Sequence, residues 1–213
     1  MLTLIKREIQ DHKIYFLIAF LMSIVFSLSI IAGAYRPEQK DVIPILFTFL
    51  AIITIIGVCT LGASQTHTEK TRKISQFLLT LPVTRRQIFA ARVLTGISAI
   101  LVLLVPPAVT TNIVGLGFAG LWQGEASYKY LIIEIFSSLF LACLGLYCTG
   151  LLCGLSKSRL AATPTLLGLI LSIFLLSLIV IKGFGIEASI IMFFYVASCL
   201  TFSWLKFNSA AFI

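Results

Sequence analysis

Few residues in this chain have the type and spacing that chemistry requires. His12 and His67 are its two histidines, and each sits in a polar flank. Neither has a second ligand at metal-binding spacing. There is no His-Glu-x-x-His pair, and Gly96-Ile97-Ser98-Ala99-Ile100 misses the Gly-x-Ser-x-Gly elbow at its last position. No Gly-Lys pair occurs, so no Walker A loop can cradle phosphates. Cys59, Cys143, Cys148, Cys153 and Cys199 all lie inside apolar runs. Successive members of the Cys143, Cys148, Cys153 series are turned by about 140° on a helix, so they cannot converge on a metal. They read as small apolar packing residues. Glu134 is an acid well inside an apolar run, which makes it a functional candidate by default. It stands about one turn past Tyr130. Two roles are open to it: a substrate path or gate, or contact with outer headgroups. Pro106-Pro107, with Thr110, Thr111 and Asn112 behind them, form a second polar place. Two prolines inside a helix predict a kink or break. The three polar side chains then either line the gap or bond locally around it. No catalytic centre, metal or cofactor is expected in this chain.

The longest polar interruption is Gln65 to Arg92, QTHTEKTRKISQFLLTLPVTRRQIFAAR. It holds Lys70, Arg72, Lys73, Arg85, Arg86 and Arg92. Thr66 with Glu69, and Thr84 with Gln87, have capping-box spacing, which predicts a helix start at each. Ile74, Phe77, Leu78 and Leu81 fall at i, i+3, i+4 and i+7, one face of a helix. Pro82 ends that helix, because it lacks an N–H and holds Leu81 extended. The prediction is a short amphipathic helix, a turn at Leu81-Pro82-Val83, and a second helix from near Arg85 into the membrane. An apolar face standing in water implies a partner groove. Arg85 and Arg86 lie in a first turn, where the helix dipole disfavours cations, so acidic or phosphate groups are expected beside them.

The string Phe77-Leu78-Leu79-Thr80-Leu81-Pro82-Val83-Thr84-Arg85, with Glu69 before it and Arg92 after it, resembles the first cytoplasmic loop of type-2 ABC exporter permeases. The resemblance implies a dimer of six-helix subunits, or a pair with a second permease. A separate cytoplasmic ATPase would carry the ATP and magnesium and dock on the 69–86 loop. The implied docking residues are Glu69, Ile74, Phe77, Leu78, Leu81, Pro82, Arg85 and Arg86. Many permeases of that kind carry re-entrant helices before the last span, and the six-residue turn Lys182 to Glu187 is too short for them. The competing reading is a small polytopic membrane enzyme or a scaffold without transport activity.

The elements that must position these residues follow from composition. The chain has 213 residues, 59% of them hydrophobic and 11% charged, with mean hydropathy +1.08. Soluble domains carry roughly 25% charged residues. The net charge of +8 sits at the ends of apolar runs, which fits lipid headgroups and topology rather than nucleic acid. Met1 to Lys13 reads as an amphipathic interfacial helix, with Leu2, Ile5, Ile9 and Phe16 on one face and Lys6, Arg7, Gln10 and Lys13 turned away. Spans are predicted over 14–34, 42–63, 93–116, 130–155, 160–181 and 188–205, each long enough for roughly 30 Å of hydrocarbon. Segment 64–92 is the cytoplasmic coupling segment, and 117–129 is an external loop. Gly150-x-x-x-Gly154, after Ala142, Gly145 and Thr149, offers a surface for close helix packing. With both termini cytoplasmic, twelve Lys and Arg residues lie inside and four outside, as the positive-inside rule requires. The expected fold is an all-α integral membrane protein. It has six transmembrane helices, an N-terminal interfacial helix and a coupling helix between spans 2 and 3, in a cell membrane.

Overall fold

Long uncharged runs leave the backbone no partner but itself in hydrocarbon, so helices are the available structure. A computed structural model describes residues 2–35, 42–72, 84–118, 125–155 and 186–209, all but two of which are helical. The helices are α1 (Leu2–Asp11), α2 (Lys13–Tyr35), α3 (Val42–Arg72), α4 (Arg85–Phe118), α5 (Glu125–Leu155) and α6 (Ile186–Ser209). Among the described residues, four stretches are long and apolar enough to cross a membrane: Lys13–Ala32, Arg86–Val114, Ile135–Gly154 and Ser189–Asn208. Ile52–Thr66 is a shorter apolar helix segment. This is the pattern of a helical membrane protein. The predicted span over 160–181 lies outside the described residues, as do 182–185 of the predicted turn, whose last two residues Ile186 and Glu187 begin α6, and 119–124 of the loop predicted over 117–129, whose two ends are helical.

Three features differ from the sequence expectations. Thr66 does not cap a new helix: α3 continues unbroken to Arg72, and the Thr66 hydroxyl donates back to the Ala63 carbonyl at 2.9 Å. The apolar run before Thr66 already supplies four carbonyls for the following N–H groups, so no cap is needed there. Pro106 and Pro107 do not break α4. Thr110, Thr111 and Asn112 donate to the carbonyls four residues back, at 2.9, 2.7 and 2.8 Å. Their polar groups are therefore spent locally. α5 starts at Glu125, five residues before the predicted span, and its stretch long and apolar enough to cross a membrane begins at Ile135, next to Glu134.

Other expectations hold. α1 is a separate helix, divided from α2 by a turn at His12, with Lys6 and Gln10 exposed and Ile5 and Ile9 half-buried. α4 begins where predicted: the Gln87 side-chain oxygen accepts the Thr84 backbone N–H at 3.1 Å.

The core joins α3, α4, α5 and α6 through Leu61, Ile100, Leu146, Leu151 and Val196, with α2 packed against it by Phe16, Ala19 and Met22. The tightest seam is α3 against α5. A Cβ on Gly150 would strike the Cys59 carbonyl, one on Gly62 the Tyr147 carbonyl, and one on Gly154 the Thr66 hydroxyl. The small-residue surface predicted on α5 is thus filled within the chain. Outward faces carry large apolar side chains, such as Leu17, Leu21 and Leu28 on α2 and Phe193, Phe194 and Phe202 on α6.

Side-chain contacts fix the helix directions. Phe89, at the start of α4, stacks on Trp204 and Phe207 near the end of α6, with ring centroids 5.4 and 5.9 Å away. Gln65, late in α3, meets Tyr147, late in α5. So α4 runs one way while α3, α5 and α6 run the other. α2 starts beside α1, which packs on α4, and runs with α4. The end of the bundle where α4 begins is called the basal end below.

Candidate functional site

The basal end buries a set of polar groups that an apolar bundle has no reason to hold unless they meet one another. Arg92 of α4 is 1% exposed. Its guanidinium carbon lies 5.1 Å from the centre of the Phe207 ring of α6, a cation–π geometry. Phe89, Trp204 and Phe207 together form an aromatic wall beside it. α1 supplies the opposite charge. Burial pushes the Glu8 carboxyl above the usual carboxylate range, and the Arg92 charge works against that rise. His12 Nε2 stands 3.8 Å from Glu8 Oε2, one helical turn on. Burial holds His12 below its ordinary value, so the imidazole stays neutral near pH 7.

Tyr147 of α5 ties the other side. Its ring lies where a side chain on Gly96 would be, and its hydroxyl donates, lying 2.6 Å from Gln65 Oε1 of α3 and 2.9 Å from the Arg92 carbonyl. The hydroxyl is fully buried, and Gln65 is 2% exposed. Gln65 Nε2 has no hydrogen-bond partner among the described residues. Rotating that amide by half a turn puts Nε2 on the phenol oxygen and leaves the hydroxyl proton for the Arg92 carbonyl, which removes the orphan donor. Thr95, one turn beyond Arg92, is fully buried and donates to the Ala91 carbonyl at 2.7 Å. Higher up, Thr149 and Tyr195 share a hydrogen bond of 2.7 Å that joins α5 to α6.

This arrangement joins α1, α3, α4, α5 and α6 at one level. Taking a guanidinium out of water costs several kcal/mol, so removing its surroundings piecemeal is expensive. Chemically the cluster is a structural hub. Among the described residues no group of three His, Cys, Asp or Glu side chains stands ready for a metal.

The residues singled out in the sequence are distributed differently. Glu69 lies on the last turns of α3, and Arg85 and Arg86 begin α4, with Arg86 exposed. Ile74, Phe77, Leu78, Leu81 and Pro82 lie outside the described residues. Glu134 is on α5, and its side chain is also outside them. Thr111 is half-buried, Asn112 exposed, and Pro107 buried with Pro106 beside it. These four are 14 to 20 residues beyond Arg92, about 20–30 Å along α4, so they are not part of the hub.

Glu8, His12, Gln65 and Tyr147 were missed as a group, and Arg92 was read as a flanking charge. A signal was available for two of them. Glu8 and His12 follow Ile5 by three and seven residues, so both ride the apolar face of α1. Nothing local marks Gln65 or Tyr147, which meet across 82 residues of chain. Comparison with family models, with curated proteins and with solved structures returned no match for this chain.

Proposed function

We propose that this chain is the permease subunit of an ATP-driven exporter of the type-2 ABC kind, with a separate cytoplasmic ATPase docking on segment 69–86. The observation that carries this reading is the pairing of the permease-like string with rigid roots. On one side α3 runs straight to Arg72, anchored by buried Gln65 and Thr66. On the other, α4 starts at a side-chain cap on Thr84 and buries Arg92 two turns later. A segment held between two stiff, anchored helices passes a push to the bundle instead of absorbing it.

The reading requires six spans, and the helix directions support that number. α5 and α6 run the same way, which is the arrangement a further crossing between Leu155 and Ile186 calls for. The apolar run 160–181 has the length for such a crossing, about 33 Å as a helix. Glu8 of α1 senses the Arg92 charge and Phe207 in the last turn of α6 packs against it, so α1 and the end of α6 share the basal end. The basic residues around it favour the cytoplasm for that end. A homodimer, or a pair with a second permease, would complete the substrate path, with Glu134 as its candidate acid.

The test is Leu78→Asp in the full chain, with ATPase association read by purification from membranes and transport read in vesicles. The expected result is normal insertion with ATPase association and transport lost, since truncating a central anchor often costs about 2 kcal/mol or more and a buried unpaired charge costs at least that. A variant that keeps a bound, active ATPase overturns the docking assignment.

A further inference from the structure

A cavity of about 80 Å³ lies in the seam between α2, α3 and α4. Ala19 and Met22 line it from α2, Gly57 and Leu61 from α3, and Ala99 and Leu103 from α4. Thr54 also borders it, but its hydroxyl is spent on the Leu50 carbonyl at 2.8 Å. A side chain placed on Gly57 would meet nothing within 4 Å. The lining runs from Tyr15 to Met22 on α2 and from Leu61 to Ile53 on α3, which makes the cavity about 10–12 Å long and parallel to the helices. Tyr15, whose ring packs 6.0 Å from that of His12, closes its basal end. Its side is open: Ile18, at the lip, is 45% exposed.

What fills such a space follows from what surrounds it. α2 and α4 each contain a stretch long and apolar enough to cross a membrane, and the cavity lies within those stretches, so its side opening meets hydrocarbon. Water needs two to four polar partners, and this wall is almost wholly apolar, with Thr54 bonded back to Leu50 and Tyr15 at one end. An empty space would forfeit dispersion contacts along three helices. The cavity has room for about six water-sized groups in all. That is too narrow for a helix of roughly 10 Å diameter, whether from this chain, a second copy or another protein.

We propose that the seam is a binding site for one acyl chain of a bilayer phospholipid, held lengthwise between α2 and α3. The chain supplies the packing that α2 lacks on that side, because α2 otherwise rests chiefly on α4. α2 is also the helix that carries α1 and, through Glu8 and His12, meets the hub. Occupancy of the seam therefore sets how firmly α2 and α1 sit on the bundle.

The test uses the full chain in bilayer discs containing a phosphatidylcholine with a photoactivatable group in its acyl chain. Adducts are mapped by mass spectrometry after irradiation. Expected are adducts on Met22, Leu61 and Leu103 that fall at least about fivefold in Gly57→Phe, with adducts on lipid-facing Phe193 and Phe194 unchanged. Ala19→Leu, which narrows the seam from the opposite wall, gives the same loss if Gly57→Phe folds poorly. Seam labelling that neither variant reduces, or that falls in parallel with Phe193, overturns the proposal. Labelling competed by free fatty acid but not by unlabelled phospholipid overturns the phospholipid assignment.

Discussion

Two glycines five residues apart on α3 should respond to the same substitution with opposite signs. Alanine is favoured over glycine inside a helix by about 1 kcal/mol wherever its methyl group has room. At Gly57 it has room, since a Cβ there touches nothing within 4 Å. Gly57→Ala is therefore expected to stabilise the bundle by up to about 1 kcal/mol. At Gly62 the same methyl group meets the Tyr147 carbonyl and stands 2.9 Å from the Leu151 nitrogen and 3.2 Å from the Gly150 carbonyl carbon. These are backbone atoms of α5, which cannot rotate away. Overpacking of this kind costs about 1–3 kcal/mol, here at the upper end. Separation of α3 from α5 also stretches the Gln65–Tyr147 hydrogen bond, and interhelical bonds in membranes are worth about 0.6–1.7 kcal/mol. After the helix-propensity gain is subtracted, Gly62→Ala is left destabilised by about 2–3 kcal/mol. The two variants should differ by about 3 kcal/mol, more than a hundredfold in the folding equilibrium. Reversible unfolding in mixed lipid–detergent micelles, followed by Trp fluorescence, measures both. A Gly62→Ala protein as stable as the parent would refute the close α3–α5 seam.

Further predictions concern the hub and the path. Tyr147→Phe should cost about 1–2 kcal/mol, because the buried Gln65 side chain loses its only described partner; no change in unfolding midpoint would count against that bond. Glu8→Gln should relieve the burial cost of the carboxylate while removing its attraction to Arg92, so a double-mutant cycle with Arg92→Met should show coupling; a cycle with no coupling would show that the two charges do not sense each other. The two α1 groups should also give opposite pH profiles. His12 titrates below its ordinary 6.5 in the folded protein, so its contribution is complete above pH 6.5 and lost as pH falls through its lowered value. Glu8 titrates above its ordinary 4.5, so its contribution is complete below pH 4.5 and lost as pH rises through its raised value. α1 docking, read by a fluorophore on α1, should thus weaken toward acid in Glu8→Gln and toward neutral pH in His12→Asn; the same profile in both would refute the assignment. Glu134→Gln should alter transport with normal assembly, and unchanged transport would place that acid at the headgroups.

Much of the architecture was legible because hydrocarbon imposes a strict rule on the backbone. Apolar runs of about twenty residues announced α2, α4, α5 and α6, and the alternation in Leu2 to Lys13 announced α1. The cap at Thr84 was readable because Gln87 is three residues away. Thr66 and Glu69 show the same spacing and form no cap, because a capping box describes a competition that a helix already under way wins. Pro106 and Pro107 do not interrupt the helix for a related reason: a helix packed along its length tolerates two missing donors. The hub was illegible because its members come from five helices. Arg92 looked like one more flanking charge, and only the placement of Glu8, Phe207 and Tyr147 around it shows that it is buried. The seam cavity had no local sign at all, since Gly57 and Gly62 look alike in sequence and differ only in what α5 places opposite them.

The Gln65–Tyr147 bond has a consequence for how the chain is made. Its two partners are separated by 82 residues, which a ribosome takes about 4–16 s to add. Throughout that interval α3 lacks its α5 partner, with its Gly62 face uncovered and a primary amide near its end. Arg92 emerges before any of the aromatic wall of α6 exists. The early bundle is therefore its least protected form, and the helices made last complete its polar end. A translational pause or truncation before Tyr147 should leave an inserted but unassembled product that membrane quality control removes. Stopping after α5 should spare the α3–α5 pair while leaving Arg92 without its Phe207 face.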